Sequence, residues 1–231
     1  MQQQEFFIEY QSTEAERLDF YKKTYGHVAG SLLAFLILEA ILLKVVPADL
    51  IMSMVGTKFV WLFLIGGFWL VSMLANNFAH AEDRGKQYLG LGLYVVIEAI
   101  IFLPLLYIIV VMSPGGINIF NQALIVSLAL FVGLSAIVFV TKKDFSFLRS
   151  ALIVAGFVSL GLIVAGALFG FDLGLWFSVA MCLVAGGSIL YQTSNLLHQY
   201  RTDQYVGAAL GLFSSFMLLF WYVLRIFASR R

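Results

Sequence analysis

Seven long apolar stretches, separated by short polar connections, make up most of this chain. They cover residues 27–46, 59–79, 88–112, 123–141, 148–170, 173–191 and 206–228. Each is near the ~20 residues that a helix needs to cross a hydrocarbon core. The runs are continuous rather than alternating, so they predict helices and not the strands of a barrel. A polar arm, 1–25, precedes them, and within it Thr13-x-x-Glu16 has the form of a capping box. It predicts a short helix with Leu18, Tyr21 and Tyr25 on one side, leading into the first span. The pattern as a whole predicts an all-α polytopic membrane protein. A partly helical cytoplasmic arm, 1–25, is followed by one seven-helix transmembrane domain, 26–231.

The last two stretches are joined by a short polar bridge, 193–205, so their helices must be antiparallel neighbours. Small residues recur on both sides: Gly186, Gly187 and Ser188 before the bridge, Gly207, Gly211 and Ser215 after it. Gly207-x-x-x-Gly211 is the spacing that lets two helix backbones approach closely in lipid. Gln192 and Ser215 are expected to face protein, because an unpaired polar group is costly in hydrocarbon.

Composition confirms lipid as the solvent. Of 231 residues 61% are hydrophobic and 12% charged, and the mean hydropathy is +0.95. A soluble domain of this length lacks the interior to hide that much apolar surface. The first 25 residues are polar and lack the apolar core of a signal peptide. Lysine and arginine place the N-terminus inside. Arg17, Lys22, Lys23, Arg84, Lys86, Lys142, Lys143, Arg149 and Arg201 then fall on the inner side, against Lys44, Lys58, Arg225, Arg230 and Arg231 outside. The outer group is weighted to the C-terminal end, so the side of the C-terminus is left open.

Few residues in this apolar background can carry chemistry. Glu98 lies in the third stretch with apolar neighbours, where a carboxylate is expensive and faces a bundle interior or a water-filled path. Pro104 lacks an N–H, so it leaves the carbonyl of Ile100 without its helical donor and bends the helix. Together they form a candidate cation-attracting site; the alternative is a protonated Glu98 bonded to a neighbouring helix for packing alone. Glu39 is a second intramembrane acid, five residues before Lys44 and able to reach toward the interface. Asn76 and Asn77 close the second stretch and read as interface caps.

Other classes are excluded. His27, His80 and His198 sit at stretch boundaries, and none has a partner at metal-ligand spacing, so no metal site is expected. Cys182 is the single cysteine, which excludes an internal disulfide and reads as a packed side chain. Ser188 is followed by Ile189, without the glycine of an intramembrane serine protease, and no catalytic base is evident. No lysine lies in the last stretch to carry retinal. No cofactor, enzyme activity or nucleic-acid partner is implied.

Three segments bear a family resemblance. GLSA at 133–136 followed by FVTKKDFSFL at 139–148, GLYVVIEA at 92–99, and the final hairpin together resemble the Bax inhibitor-1 (YccA-like) family over essentially the whole chain. The resemblance implies seven helices with the last one central, and a bacterial inner membrane. Lys142 and Lys143 hold the 139–148 turn inside, and Asp144 can cap the helix that follows. Some members of the family are proposed to leak Ca²⁺ along a path set by two aspartates. One ends the sixth helix in a Tyr-Asp pair; the other closes a Leu-Tyr-Leu-Asp run in the seventh. Here those positions read Tyr191-Gln192 and Leu212-Phe213-Ser214-Ser215. A carboxylate pair sharing a proton makes a pH switch. An amide and a hydroxyl do not, though they can form a pH-insensitive latch. Two functions follow. One is a Ca²⁺ or cation leak whose sensitivity has moved to Glu98, with Glu39, or has been lost. The alternative is a non-transporting regulator that binds a membrane-anchored protease or another membrane partner through the arm 1–25.

Overall fold

A computed structural model describes residues 13–56, 58–79 and 81–229, with the side chains at 55, 58–65, 68 and 69 outside that description. Most of the N-terminal arm, His80, Arg230 and Arg231 therefore lie outside the described residues. Among the described residues the chain is all-helical. The helices are α1 (Glu14–Val45), α2 (Ala48–Gly56), α3 (Lys58–Ala79), α4 (Arg84–Leu106), α5 (Gly116–Thr141), α6 (Leu148–Phe169), α7 (Gly174–His198) and α8 (Tyr205–Ala228).

The capping box forms as the spacing predicts. Thr13 N–H donates to Glu16 Oε2 at 2.8 Å, and Glu16 N–H donates to Thr13 Oγ1 at 3.3 Å. The helix it opens does not stop before the apolar stretch; α1 continues without a break for 32 residues. Proline ends it. Val46 is extended (φ −79°, ψ 125°), as the residue before Pro47 is biased to be. α2, which the apolar pattern does not signal, starts directly after that proline and buries Ile51.

Pro104 sits inside α4, and the helix does not simply kink there. It widens into a π-helical turn, Tyr107–Met112, in which Tyr107 N–H reaches both Leu103 O and Pro104 O. Extra backbone per turn is one way a helix absorbs a missing N–H. α5 begins hard against this turn: a Cβ at Gly116 would stand 1.7 Å from the Ile109 carbonyl oxygen. A similar approach joins α3 to α4, where a Cβ at Gly90 would lie 2.5 Å from Ala75 O. Only glycine permits either contact.

Six of these helices are long and apolar enough to cross a membrane: α1, α4 with its π turn, α5, α6, α7 and α8. The protein is thus an integral membrane protein by length and composition. The sequence predicts seven crossings. The difference is α3, 22 residues long, whose described apolar part is the shorter Leu70–Ala79.

α8 is the axis of the bundle. Its apolar window is 83% buried, against 11% for α6 and 22% for α1. It packs on α1, α3, α4, α5 and α7. Aromatic rings fill the contact: Phe220 stacks on Phe102 of α4 at 5.6 Å, and Phe216 meets Phe131 of α5 edge-on at 5.6 Å. Because lipid is as apolar as the helices, this fit and not a hydrophobic drive is what holds them.

Candidate functional site

The α7–α8 hairpin is antiparallel, as its short bridge requires, and its small residues lie in the contact. Gly207, Gly211 and Ser215 are all buried on α8. Gln192 of α7 lies flat against Gly211: a Cβ there would be 2.8 Å from Gln192 Oε1 and 3.0 Å from its Cδ. Ser215 does not bond to Gln192. Its hydroxyl donates to Gly211 O at 2.9 Å and faces the Ser188 hydroxyl of α7 at 2.7 Å. A hydroxyl has one proton to give, so Ser188 is the donor in that pair. The polar contact across the hairpin is therefore Ser188–Ser215, with Gln192 filling the neighbouring turn. Ser188 stands out in the sequence only as a poor nucleophile; its spacing does not reveal which face of α7 it takes.

Glu98 is 5% exposed on α4. Tyr94, one turn earlier on the same face, is within hydrogen-bonding reach of it, and Ser214 of α8 flanks the same phenol. Tyr94 also packs edge-on against Phe213 of α8 at 6.1 Å. The Glu98 face of α4 is thus turned toward the central helix. The i−4 tyrosine is visible in the sequence, but nothing there marks it as the partner.

Glu39 is 3% exposed, and neither carboxylate oxygen has a hydrogen-bond partner among the described residues. Its side chain is enclosed by protein, and it is not bonded to Glu98. One turn earlier, Phe35 meets Phe102 of α4 edge-on at 5.2 Å, so Glu39 sits on the inner face of α1. Pro104 is itself buried, 6 residues beyond Glu98 on α4.

The polar end of the bundle is tied across elements. Arg17 of α1 donates to the carbonyl oxygens of Leu197 and Tyr200 at the end of α7. Ser194 of α7 donates to Asp144 Oδ1 at 3.3 Å and accepts from Phe145 N–H at 2.9 Å. Asp144 does not cap α6 directly; it accepts from Ser146 N–H at 2.8 Å, closing the turn two residues before that helix begins. That backbone hydrogen bond holds its carboxyl below the ordinary aspartate range. Lys142, in the left-handed region at φ 49°, ends α5 and starts the turn.

Residues 17–231 match the family model described as inhibitor of apoptosis-promoting Bax1. A Pseudomonas aeruginosa protein, PA2604, is 35% identical over 115 residues, 49% of this chain and 51% of that one. Bax inhibitor 1 of Schizosaccharomyces pombe is 27% identical over 172 residues, 72% of this chain and 61% of the relative. The modulator of FtsH protease YccA of Escherichia coli K12 is 34% identical over 122 residues, 52% of this chain and 55% of the relative. The chain spans about half the length of the Pseudomonas and Escherichia relatives it matches.

Proposed function

This chain belongs to the Bax inhibitor-1 family, and from that premise we propose that it is a non-transporting regulatory membrane protein whose partner is a membrane-anchored protease. The observation that carries this reading is the closing hairpin. Where the family resemblance places two titratable carboxylates, the contact consists of Ser188, Ser215 and Gln192, none of which changes charge in the physiological range. A hydroxyl pair within one central helix contact locks the hairpin at every such pH. The Escherichia relative described as a modulator of FtsH protease supports the choice of partner. The role needs no chemistry at the site. It needs a fixed surface, and the knitted end formed by Arg17, Asp144 and Ser194 offers one. In this reading the arm lies in the cytoplasm of a bacterial inner membrane, and α3 completes a seventh crossing.

A second reading, a cation leak, draws its support from Glu98 and Glu39, two carboxylates buried in the spans. One experiment separates the two. The chain is reconstituted with a membrane-anchored ATP-dependent protease, and degradation of a membrane substrate and Ca²⁺ flux are followed in the same vesicles. The regulatory reading expects proteolysis to change with the full chain and not with a chain lacking residues 1–20, while flux stays at the level of empty vesicles. Flux that survives loss of residues 1–20 and falls in Glu98→Gln, with proteolysis unchanged, would select the leak.

A further inference from the structure

On the outer side of α1 and α4 a groove of about 580 Å³ runs from the polar end of the bundle toward mid-span. Gly26, Gly30 and Ala34 of α1 and Gly92 of α4 form its floor. A Cβ at Gly26, Gly30 or Gly92 would meet nothing within 4 Å, so absent side chains leave the space. Leu38 closes its deep end. An open apolar channel of this kind along a span is filled by hydrocarbon in a bilayer.

Its mouth is built differently. Lys23, His27 and Tyr88 line it, and Tyr205 of α8 stands behind them. His27 Nδ1 lies 2.6 Å from Lys23 O; a carbonyl only accepts, so Nδ1 carries the proton. Nε2 then faces the Tyr88 hydroxyl at 3.3 Å, and that hydroxyl meets Tyr205 OH at 3.2 Å. Two cations rest on the Tyr205 ring, Arg84 at 4.7 Å and Lys23 at 5.7 Å. Lys23 also pairs with Asp19 at 2.6 Å. Arg84 donates to the Asp203 carbonyl oxygen, while the Asp203 carboxylate is taken by Arg201. Lys23 and Arg84 against Asp19 leave the mouth with one positive charge in excess.

We propose that this groove binds one anionic glycerophospholipid, with its phosphate at Lys23, His27 and Tyr88 and one acyl chain along Gly30 to Leu38. The charges choose the headgroup: a single net negative charge balances the mouth, and a zwitterion does not. Basic groups at headgroup depth beside a hydrocarbon slot are the arrangement by which membrane proteins take up such lipids. Lys23 also falls within the arm 1–25 that the regulatory reading uses, but the test of that reading removes residues 1–20 and leaves the groove lining in place, so the two inferences fail separately.

The test uses the full chain in nanodiscs of equal phosphatidylglycerol and phosphatidylethanolamine, released into detergent for native mass spectrometry. One phosphatidylglycerol is expected to stay bound in preference to phosphatidylethanolamine. Lys23→Gln should lower its occupancy about fivefold, the scale of one basic side chain at an anionic surface. Gly30→Leu projects into empty space and should abolish the adduct without changing the melting temperature. Gly156→Leu on α6, where an added side chain also meets nothing, serves as the control and should retain lipid as the unmodified chain does. Equal retention of the two lipids would overturn the proposal. So would unchanged retention in Gly30→Leu, or equal loss in Gly156→Leu.

Discussion

Glu39 and Asp144 are two carboxylates with opposite surroundings, and each leads to its own prediction. Glu39 is buried in α1 with neither oxygen hydrogen-bonded among the described residues, and an unsatisfied buried polar group costs about 1–3 kcal/mol. Glu39→Leu is therefore expected to raise thermal stability in detergent by that order, read from unfolding curves. A fall in stability would mean that the carboxyl has a partner in the membrane. Asp144 lies at the surface and is held below the ordinary aspartate range by the Ser146 N–H. A depressed carboxyl contributes stability above its unfolded pKa, and that contribution is lost as pH falls through its folded pKa. Melting curves from pH 7 downward should thus separate the unmodified chain from Asp144→Asn at neutral pH. The two should converge once pH drops below the ordinary range near 3.8. At the hairpin, a double-mutant cycle on Ser188→Ala and Ser215→Ala should return a coupling of about 0.6 kcal/mol, the average for hydrogen bonds between membrane helices.

Among the elements, the α7–α8 contact depends on Gly211. A Cβ there runs into the end of a flexible side chain, Gln192, whereas a Cβ at Gly90 runs into the backbone of α3. Gly211→Ala should therefore cost about 1–3 kcal/mol and be largely recovered in the double variant with Gln192→Ala. Gly90→Ala should cost more, and no side-chain truncation should rescue it; unfolding of these three variants in detergent checks both. This difference also shows what can be read from sequence. The apolar runs, the Thr13 capping box, the antiparallel hairpin and the burial of its glycines all follow from local spacing, because each is written within a few turns of one helix. The pairing of Ser188 with Ser215 and the Arg17 clasp on α7 depend on the rotation of one helix against another. Uniformly apolar spans carry little polar asymmetry to set that rotation. The π turn was half legible: Pro104 announces a disturbance, but whether the helix bends or widens depends on α5 pressing against Ile109. α2 is not signalled because nine residues beside a proline, interrupted by Asp49 and Ser53, look like the tail of a connection.

For the whole molecule, the crossing number decides where the ends lie. If α3 spans, the start of α1 and the end of α8 lie on opposite sides; with six crossings they share one. Removing Cys182, the single cysteine, and introducing one cysteine at Ala15 or Ser229 allows labelling with an impermeant maleimide in sealed inverted vesicles. Labelling at only one of the two sites is expected. The burial of α8 has a further consequence for how the protein is made. Of the eight α-helices among the described residues it leaves the ribosome last, yet it occupies the middle of the assembled bundle. The earlier helices must enter the bilayer around a vacancy and wait, with Phe102 and Phe131 lacking the rings they will pack against. Final assembly is therefore a single late event, and a nascent chain halted before α8 would present quality control with a set of inserted but unjoined helices.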